Sequence, residues 1–360
     1  MASIEAPEEE PVTTQTHDPC AHHGATAAGE QTMRAVLQDR YGTDPHEVLH
    51  TGTTPRPEPG AGEVLVRVHA AAVDQGTWHL MAGLPYPVRV AGSGLRRPKQ
   101  PIPGLDVAGV VDAVDPSVTS LAVGDEVYGT TRTGSFAEWT VTEADRLAIK
   151  PAEIGWAQAA IVPVSGLTGL QAVRDKAQVV EGDEVLVLGA AGGVGSYAVQ
   201  VAAALGAQVT GVASTPKLDL VRSLGAEHVV DYTSDTVGGD GQRYDAIIDT
   251  GGNRSLQVLR ALLRPKGRLV IVGGETDGRW LGGVDRQLRA LLWSPFVSQH
   301  LGSLISSENT ADLDELRRLI DAGDIEPPLD RIVDLNDVPA ALHDLRGGRV
   351  TGKLAVCVRP

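Results

Sequence analysis

Asp183-Glu-Val-Leu-Val-Leu-Gly-Ala-Ala-Gly-Gly-Val-Gly195 decides how this chain is read. Its apolar run to Leu188 predicts a buried strand, the small residues after it a tight turn, and the Ala- and Val-rich segment to Leu205 a helix. Ala190-Ala-Gly192-Gly-Val-Gly195 is a one-residue variant of the six-position glycine turn that holds a dinucleotide, with Ala190 in place of its first glycine. Gly192 lets the backbone approach a pyrophosphate, Gly193 and Val194 open the helix with amides free for anionic oxygens, and Gly195 lets helix and strand pack closely. The hexapeptide alone is a weak signal, and a purely structural turn is the alternative. Its place after a strand, before a helix and ahead of a second βα unit gives it weight.

That second unit, a strand over 208–213 and a helix over 217–224, ends its strand in Val209-Thr-Gly-Val-Ala213-Ser214-Thr215-Pro216-Lys217. An NAD site places Asp or Glu near this point to bind the ribose hydroxyls, and here no carboxylate occurs before Asp219. Ser214 and Lys217 offer a hydroxyl and a cation that suit a 2′-phosphate, so NADPH (or NADP+) is the expected cofactor. The plainer reading of Lys217 is a solvated charge at a helix start. Tyr232, Gly251-Gly-Asn253 and Gly273-Gly274 follow later strands, where loops of such a sheet turn toward the nucleotide, although each also serves as a simple turn.

Working outward, strands at 228–230, 245–249 and 268–272 with a helix near 254–263 continue a parallel sheet covered on both faces. Upstream, Met33–Leu37, Glu63–His69, Asp106–Val114, Asp125–Tyr128 and Gly134–Val141 alternate apolar and polar residues between Pro- and Gly-bearing turns, which predicts a barrel-like β body. Around the break at Pro163–Gly166, segments 156–162 and 168–174 have helical spacing. Asp312–Ile320 is an amphipathic helix stopped by Gly323, and the chain then returns to strand character to Val358. The expected organisation is a tail over 1–31, a first catalytic part over 32–157, a dinucleotide domain over 158–323, and a return to the catalytic domain over 324–360.

The chain of 360 residues, 42% hydrophobic with 42 glycines, holds enough apolar material for two cores. A net charge of -15 disfavours nucleic acid or an anionic membrane as partner. The first thirty residues carry Glu and Asp without Lys or Arg and lack an apolar run, so a disordered acidic tail and a cytoplasmic location are expected. His17, His22 and His23 could bind a metal only if that tail had an ordered frame. Cys20, in the tail, and Cys357, in the last strand, suggest neither a disulfide framework nor a structural zinc cluster.

Ile102-Pro-Gly-Leu-Asp-Val-Ala-Gly-Val-Val111, Gly124-Asp-Glu-Val-Tyr-Gly129, Gly134-Ser-Phe-Ala-Glu138, Val164-Ser-Gly-Leu-Thr-Gly169, the glycine turn, Leu224-Gly-Ala226 and Gly348-Arg-Val-Thr-Gly-Lys353 together resemble the medium-chain dehydrogenase/reductase superfamily. The likeness is to its zinc-independent quinone oxidoreductase-like branch and covers about residues 32–360. It implies an α/β fold: a doubly wound Rossmann sheet inserted into a GroES-like, mostly β catalytic domain, with nicotinamide in the cleft. It commonly implies a homodimer joined through the nucleotide domains, for which Leu288–Ser306 is the candidate segment, although its apolar residues could equally be internal. Where zinc relatives carry Gly-His-Glu this chain has Gly104-Leu105-Asp106, and no cysteine stands in Val73–Thr77, so no metal is expected.

Without zinc, the cofactor's hydride suits a substrate that spreads the resulting charge. Reduction of a quinone, enone or enal ranks first, ahead of a zinc-free alcohol or carbonyl oxidoreductase and of a noncatalytic NADPH-binding regulatory or scaffold protein. His79 and Tyr86 are candidate proton donors, each set against a packing or surface role. Asp74 is a candidate to bond the ribose, to orient Thr77 or His79, or to cap the next helix. Trp78, Leu105 and Tyr128 are expected in the substrate pocket, Trp78 as a wall rather than a core plug. The resemblance adds Thr168 as a cofactor contact and Lys353 as either a cofactor contact or a pin between domains.

Overall fold

A computed structural model describes residues 18–21, 31–239, 241–252, 254–273, 280, 282 and 284–358. Most of the tail read over 1–31, with His17, His22 and His23, lies outside the described residues, as do Asn253 and Gly274.

The chain opens with a hairpin of β1 (Thr32–Gln38), a short α1 (Pro45–Val48) and β2 (Leu49–Pro55). Next come β3 (Glu63–Val73), α2 (Gln75–Ala82), β4 (Asp106–Val114), β5 (Glu126–Thr130), β6 (Trp139–Glu143) and β7 (Leu147–Ile149). Helices α3 (Trp156–Ala160) and α4 (Pro163–Gln171) lead to the second unit. That unit holds β8 (Glu184–Leu188), α5 (Gly193–Ala204), β9 (Gln208–Ala213), α6 (Leu218–Ser223), β10 (His228–Asp231), β11 (Tyr244–Asp249), α7 (Leu256–Leu262), β12 (Leu263–Ile271), α8 (Val284–Trp293) and β13 (His300–Ser303). The chain closes with α9 (Thr310–Asp321), β14 (Leu329–Asp334), α10 (Val338–Arg346) and β15 (Lys353–Cys357).

Strands β8 to β13 form one parallel sheet in the order β10-β9-β8-β11-β12-β13. Val185, Leu186, Val187, Ile247 and Ile248 are wholly buried, as strands covered on both faces require. This order reverses direction between β8 and β11, and their register sets Leu188 beside Asp249 at the carboxyl ends. Loops part there and leave a crevice, the usual ligand site of such sheets. The other sheet runs β14-β15-β3-β4-β5-β7, with β6 also on β3. Strand β15 pairs antiparallel with β3, so the end of the chain rejoins the sheet that its beginning laid down. The expected α/β fold, a doubly wound sheet inserted into a mostly β body, is the one observed.

A shared apolar core between the sheets draws on α3, α4, α5 and α9. Helix α4 begins at Pro163, where the sequence suggested a break. Proline at the first helical position needs no hydrogen-bond partner, and the buried Asp106 carboxylate accepts from Val164 N at 2.6 Å.

The cysteine expectation is overturned. Cys20 and Cys357 form a disulfide with their Cα atoms 5.3 Å apart, and both are buried. A separation of 337 residues hid the pairing, which exists because β15 runs beneath the turn at Asp18–Ala21. That turn is not free, unlike the tail expected there: Asp18 Oδ2 accepts from Trp156 N at 2.6 Å, and Cys20 O bonds His69 Nδ1 at 3.1 Å.

Candidate functional site

A cleft of about 1160 Å³ lies along the carboxyl ends of β8, β9, β11 and β12 and is walled on the far side by α2 and the segment after α10. Its floor is the glycine turn. Gly189 turns the chain at φ 76°, a conformation open to glycine, and a Cβ there would meet Thr250 Oγ1 at 2.6 Å. Gly195 is demanded by packing, since its Cβ would lie 2.1 Å from Gly189 O. Gly192 is different: φ is -88° and a Cβ would meet only Gly189 O, at 3.3 Å. The protein's own packing therefore presses on position 192 at one point alone, the tight but yielding approach to Gly189 O, and the space above it lies open in the cleft. The start of α5 aims unpaired first-turn amides into that space, a cradle that fits a diphosphate. Gly192→Ala is accordingly expected to leave folding stability within about 0.5 kcal/mol while raising the cofactor KM about tenfold, read by thermal melts and initial rates.

Of the residues expected at the cofactor, Thr168, Gly192, Gly193, Val194, Ser214, Lys217, Tyr232, Gly251 and Gly273 line this cleft. Ala190 is buried beneath the turn and Gly195 packs on Gly189, so both shape the cleft without facing it. Lys217 is half-buried, and its Nζ donates to Gly348 O at 2.9 Å and Val350 O at 2.6 Å, which replaces the solvated charge of the plainer reading. Burial lowers its pKa below the ordinary value, with Asp330 opposing. Lys353 does not face the cleft. Its ammonium, 3% exposed, bonds Asp106 Oδ2 at 2.7 Å, which ties β15 to β4 within one sheet of the catalytic domain, so this bond is neither a cofactor contact nor a pin between domains.

On the α2 wall, Gln75, Gly76 and His79 face the cleft. His79 Nδ1 lies 2.9 Å from Leu84 O. A carbonyl only accepts, so Nδ1 carries the hydrogen and Nε2 of the neutral ring is an acceptor; His79 donates there only as imidazolium. Asp74 takes the capping role: Oδ1 accepts from Thr77 N at 2.7 Å and Oδ2 from Thr77 Oγ1 at 3.0 Å, which spends a buried carboxylate on the helix start rather than on ribose.

The expected substrate wall sits one layer back. Trp78 is buried under the Arg346 guanidinium, 3.9 Å from its ring centre, and it is Arg346 that faces the cleft. Leu105 backs Gly76, whose Cβ would meet Leu105 Cδ1 at 3.2 Å. Tyr128 is removed from the pocket, because it is wholly buried between the sheets and donates to Leu313 O at 2.6 Å. Tyr86 stands edge-on to Trp280, ring centres 5.2 Å apart, beside the Pro85–Gly282 contact that joins the two walls.

Sequence reasoning missed Asp249, Thr250 and Leu304–Ser306, which also line the cleft. Asp249 is buried and ion-paired to Arg286, and accepts from Gly252 N at 3.0 Å. A carboxylate ending an apolar strand was the available signal. Ser306 Oγ lies 3.1 Å from Thr168 Oγ1, a partner that the chain order does not announce.

Two family profiles match: "Alcohol dehydrogenase GroES-like domain" over residues 60–170 and "Zinc-binding dehydrogenase" over 224–356. The quinone oxidoreductase of Pseudomonas aeruginosa is 32% identical over 85% of this chain and 94% of its own length. Mouse mitochondrial NAD(P)H oxidoreductase RTN4IP1 is 30% identical over 92% of this chain and 91% of its own. A mycobacterial protein solved with NADPH superposes with a TM-score of 0.76 at 26% identity, covering 91% of this chain and all of that one.

The chain belongs to the medium-chain dehydrogenase/reductase superfamily, in its quinone oxidoreductase-like branch. It is an NAD(P)H-dependent oxidoreductase, and the cleft over the glycine turn is where this family's cofactor fits. The metal in one profile's description can be tested on the donors present. Leu105 cannot ligate, both Asp106 oxygens are taken by Lys353 and Val164, and Asp74 is spent on Thr77. Among the described residues no three His, Cys, Asp or Glu side chains gather to hold an ion. No described helix is long and apolar enough to cross a membrane.

Proposed function

We propose that this reductase prefers NADPH, works without zinc, and delivers hydride to a quinone or to the activated double bond of an enone or enal. The single observation that carries the reading is Lys217 in the cleft at the end of β9, with Ser214 beside it and no carboxylate before Asp219. A 2′-phosphate finds a cation and a hydroxyl there, and the ribose hydroxyls of NADH lack the usual acid. The donor set described above favours zinc-free chemistry, and the names of the relatives favour a quinone or conjugated carbonyl.

When bound, the cofactor supplies the hydride. The chain's part is to lay the diphosphate on the amides after Gly192, to shape the far end with Gln75, His79 and Leu304–Ser306, and to place a proton near the product oxygen. His79 serves that last role from Nε2 as imidazolium, its ring held by the Leu84 carbonyl. Tyr86, the second candidate donor, packs on Trp280 and Arg89 and does not itself line the cleft, so His79 is preferred; Asp74 acts by fixing the start of α2.

Following NADPH oxidation at 340 nm against quinones, enones, aldehydes and saturated ketones tests the reading. Turnover of quinone or enone, with kcat/KM for NADPH at least tenfold above NADH and no activity-linked zinc, is expected. Equal use of the two cofactors, or turnover of saturated carbonyls alone, defeats it. The reading includes a homodimer through β13, the edge of its sheet, with Leu291, Leu292 and Phe296 exposed beside it. Light scattering showing only monomer removes that element. A cytoplasmic location also belongs to it, and the Cys20–Cys357 bond, of a kind that oxidising compartments preserve, is the observation that counts against this element.

A further inference from the structure

The segment after α10 crosses the cleft as a strap between the two sheets. At one end Gly352 N donates to Ala191 O at 2.8 Å, on the glycine turn, and Lys353 is pinned to Asp106. At the other end the only tie from β9–α6 to this strap that the described hydrogen bonds record is Lys217, whose Nζ donates to both Gly348 O and Val350 O. Gly348, Val350 and Gly352 themselves line the cleft. An ammonium has three hydrogens, and two are directed at the strap.

We propose that Lys217 couples recognition of the 2′-phosphate to ordering of the Gly348–Val350 strap, so that NADPH holds the strap over the cleft more firmly than NADH does. The inference rests on the NADPH reading above and goes beyond it, because it makes Lys217 a positioning residue for the strap as well as a phosphate contact. The physical reason is the lysine stem. Its four rotatable carbons must be frozen before the ammonium can serve any acceptor, and a phosphate on the third hydrogen freezes them. The two strap carbonyls then bind an ammonium already in place, which is positive coupling through conformational entropy. Linkage makes it reciprocal: a strap that is fastened raises affinity for the phosphate by the same factor.

Hydrogen exchange over residues 347–352 tests this with 2′,5′-ADP and 5′-ADP as probes, each at saturation, so that both fill the site over the glycine turn and only one presents a 2′-phosphate. The wild-type chain is expected to exchange about tenfold more slowly with 2′,5′-ADP than with 5′-ADP. In Lys217→Met the difference is expected to vanish while the protection of both probes at Gly193–Gly195 persists. Calorimetric affinities for the two probes, measured separately, test the NADPH reading: equal affinities overturn it and this inference with it. Tighter binding of 2′,5′-ADP with equal exchange at 347–352 in the wild-type chain overturns the strap inference alone.

Discussion

Lys353→Met is expected to cost about 3–5 kcal/mol of folding stability, the usual loss when one partner of a buried ion pair is removed. Lys353 and Asp106 are 3% and 0% exposed, and their bond joins β15 to β4, with Val164 N as the carboxylate's other donor. Removing the ammonium strands a charge that has no route to water. The pair itself is a weaker asset than that number suggests, because desolvation offsets most of its attraction. Lys353→Met combined with Asp106→Leu is therefore expected to recover much of the loss, and urea denaturation of both variants checks it. A double variant as unstable as the single one would show that packing around the lysine stem, rather than the stranded carboxylate, carries the effect.

The same pair sets a pH dependence whose sign follows from burial. Desolvation pushes the Asp106 carboxyl up from its ordinary value near 3.8 to about 6, with Lys353 pulling it down and Asp74 pushing it up. The folded state thus holds a proton that the unfolded state has released, and stability falls as pH rises through the interval from about 4 to 6. Without Lys353 the folded carboxyl titrates higher still. The deficit of Lys353→Met against the wild-type chain should be smallest near pH 4 and should grow toward pH 8; a constant deficit would mean that Asp106 stays ionised in the variant.

What was legible in the chain was local. Strand, turn and helix over 183–205 could be read because alternation, glycine spacing and helix propensity are written in neighbouring residues, and the missing acid before Asp219 is a fact of eleven consecutive positions. Gly189 was passed over in favour of Ala190 because spacing alone does not tell which residue takes the positive φ. Partners across the fold were not legible. The Tyr128 hydroxyl is claimed by Leu313, 185 positions away, and Asp106 by Lys353, 247 away, so a residue placed in the pocket by motif proved to be a plug and another a tie within one sheet. For Asp74 the sequence leaves ribose and cap open, and the Thr77 amide, 2.7 Å away, makes it a cap.

Reduction of the Cys20–Cys357 bond, or Cys20→Ser, is expected to remove about 2–4 kcal/mol, because the cross-link closes most of the chain into one loop and so restricts the unfolded state. The loss should exceed that from Asp18→Ala, which deletes the carboxylate's bonds to Trp156 N and Cys20 N, together worth about 1–2 kcal/mol. Melting the wild-type chain with and without dithiothreitol, beside Cys20→Ser under both conditions, isolates the bond. The wild-type curve should fall onto that of the variant when reductant is added, and the variant should not respond. Two titratable thiols in unreduced native protein would contradict the pairing directly. Because β15 carries Lys353 at one end and Cys357 at the other, the two losses fall on the same strand and should not add. Once either anchor is gone, β15 is held less firmly against β3, and the second cut acts on an element already loosened.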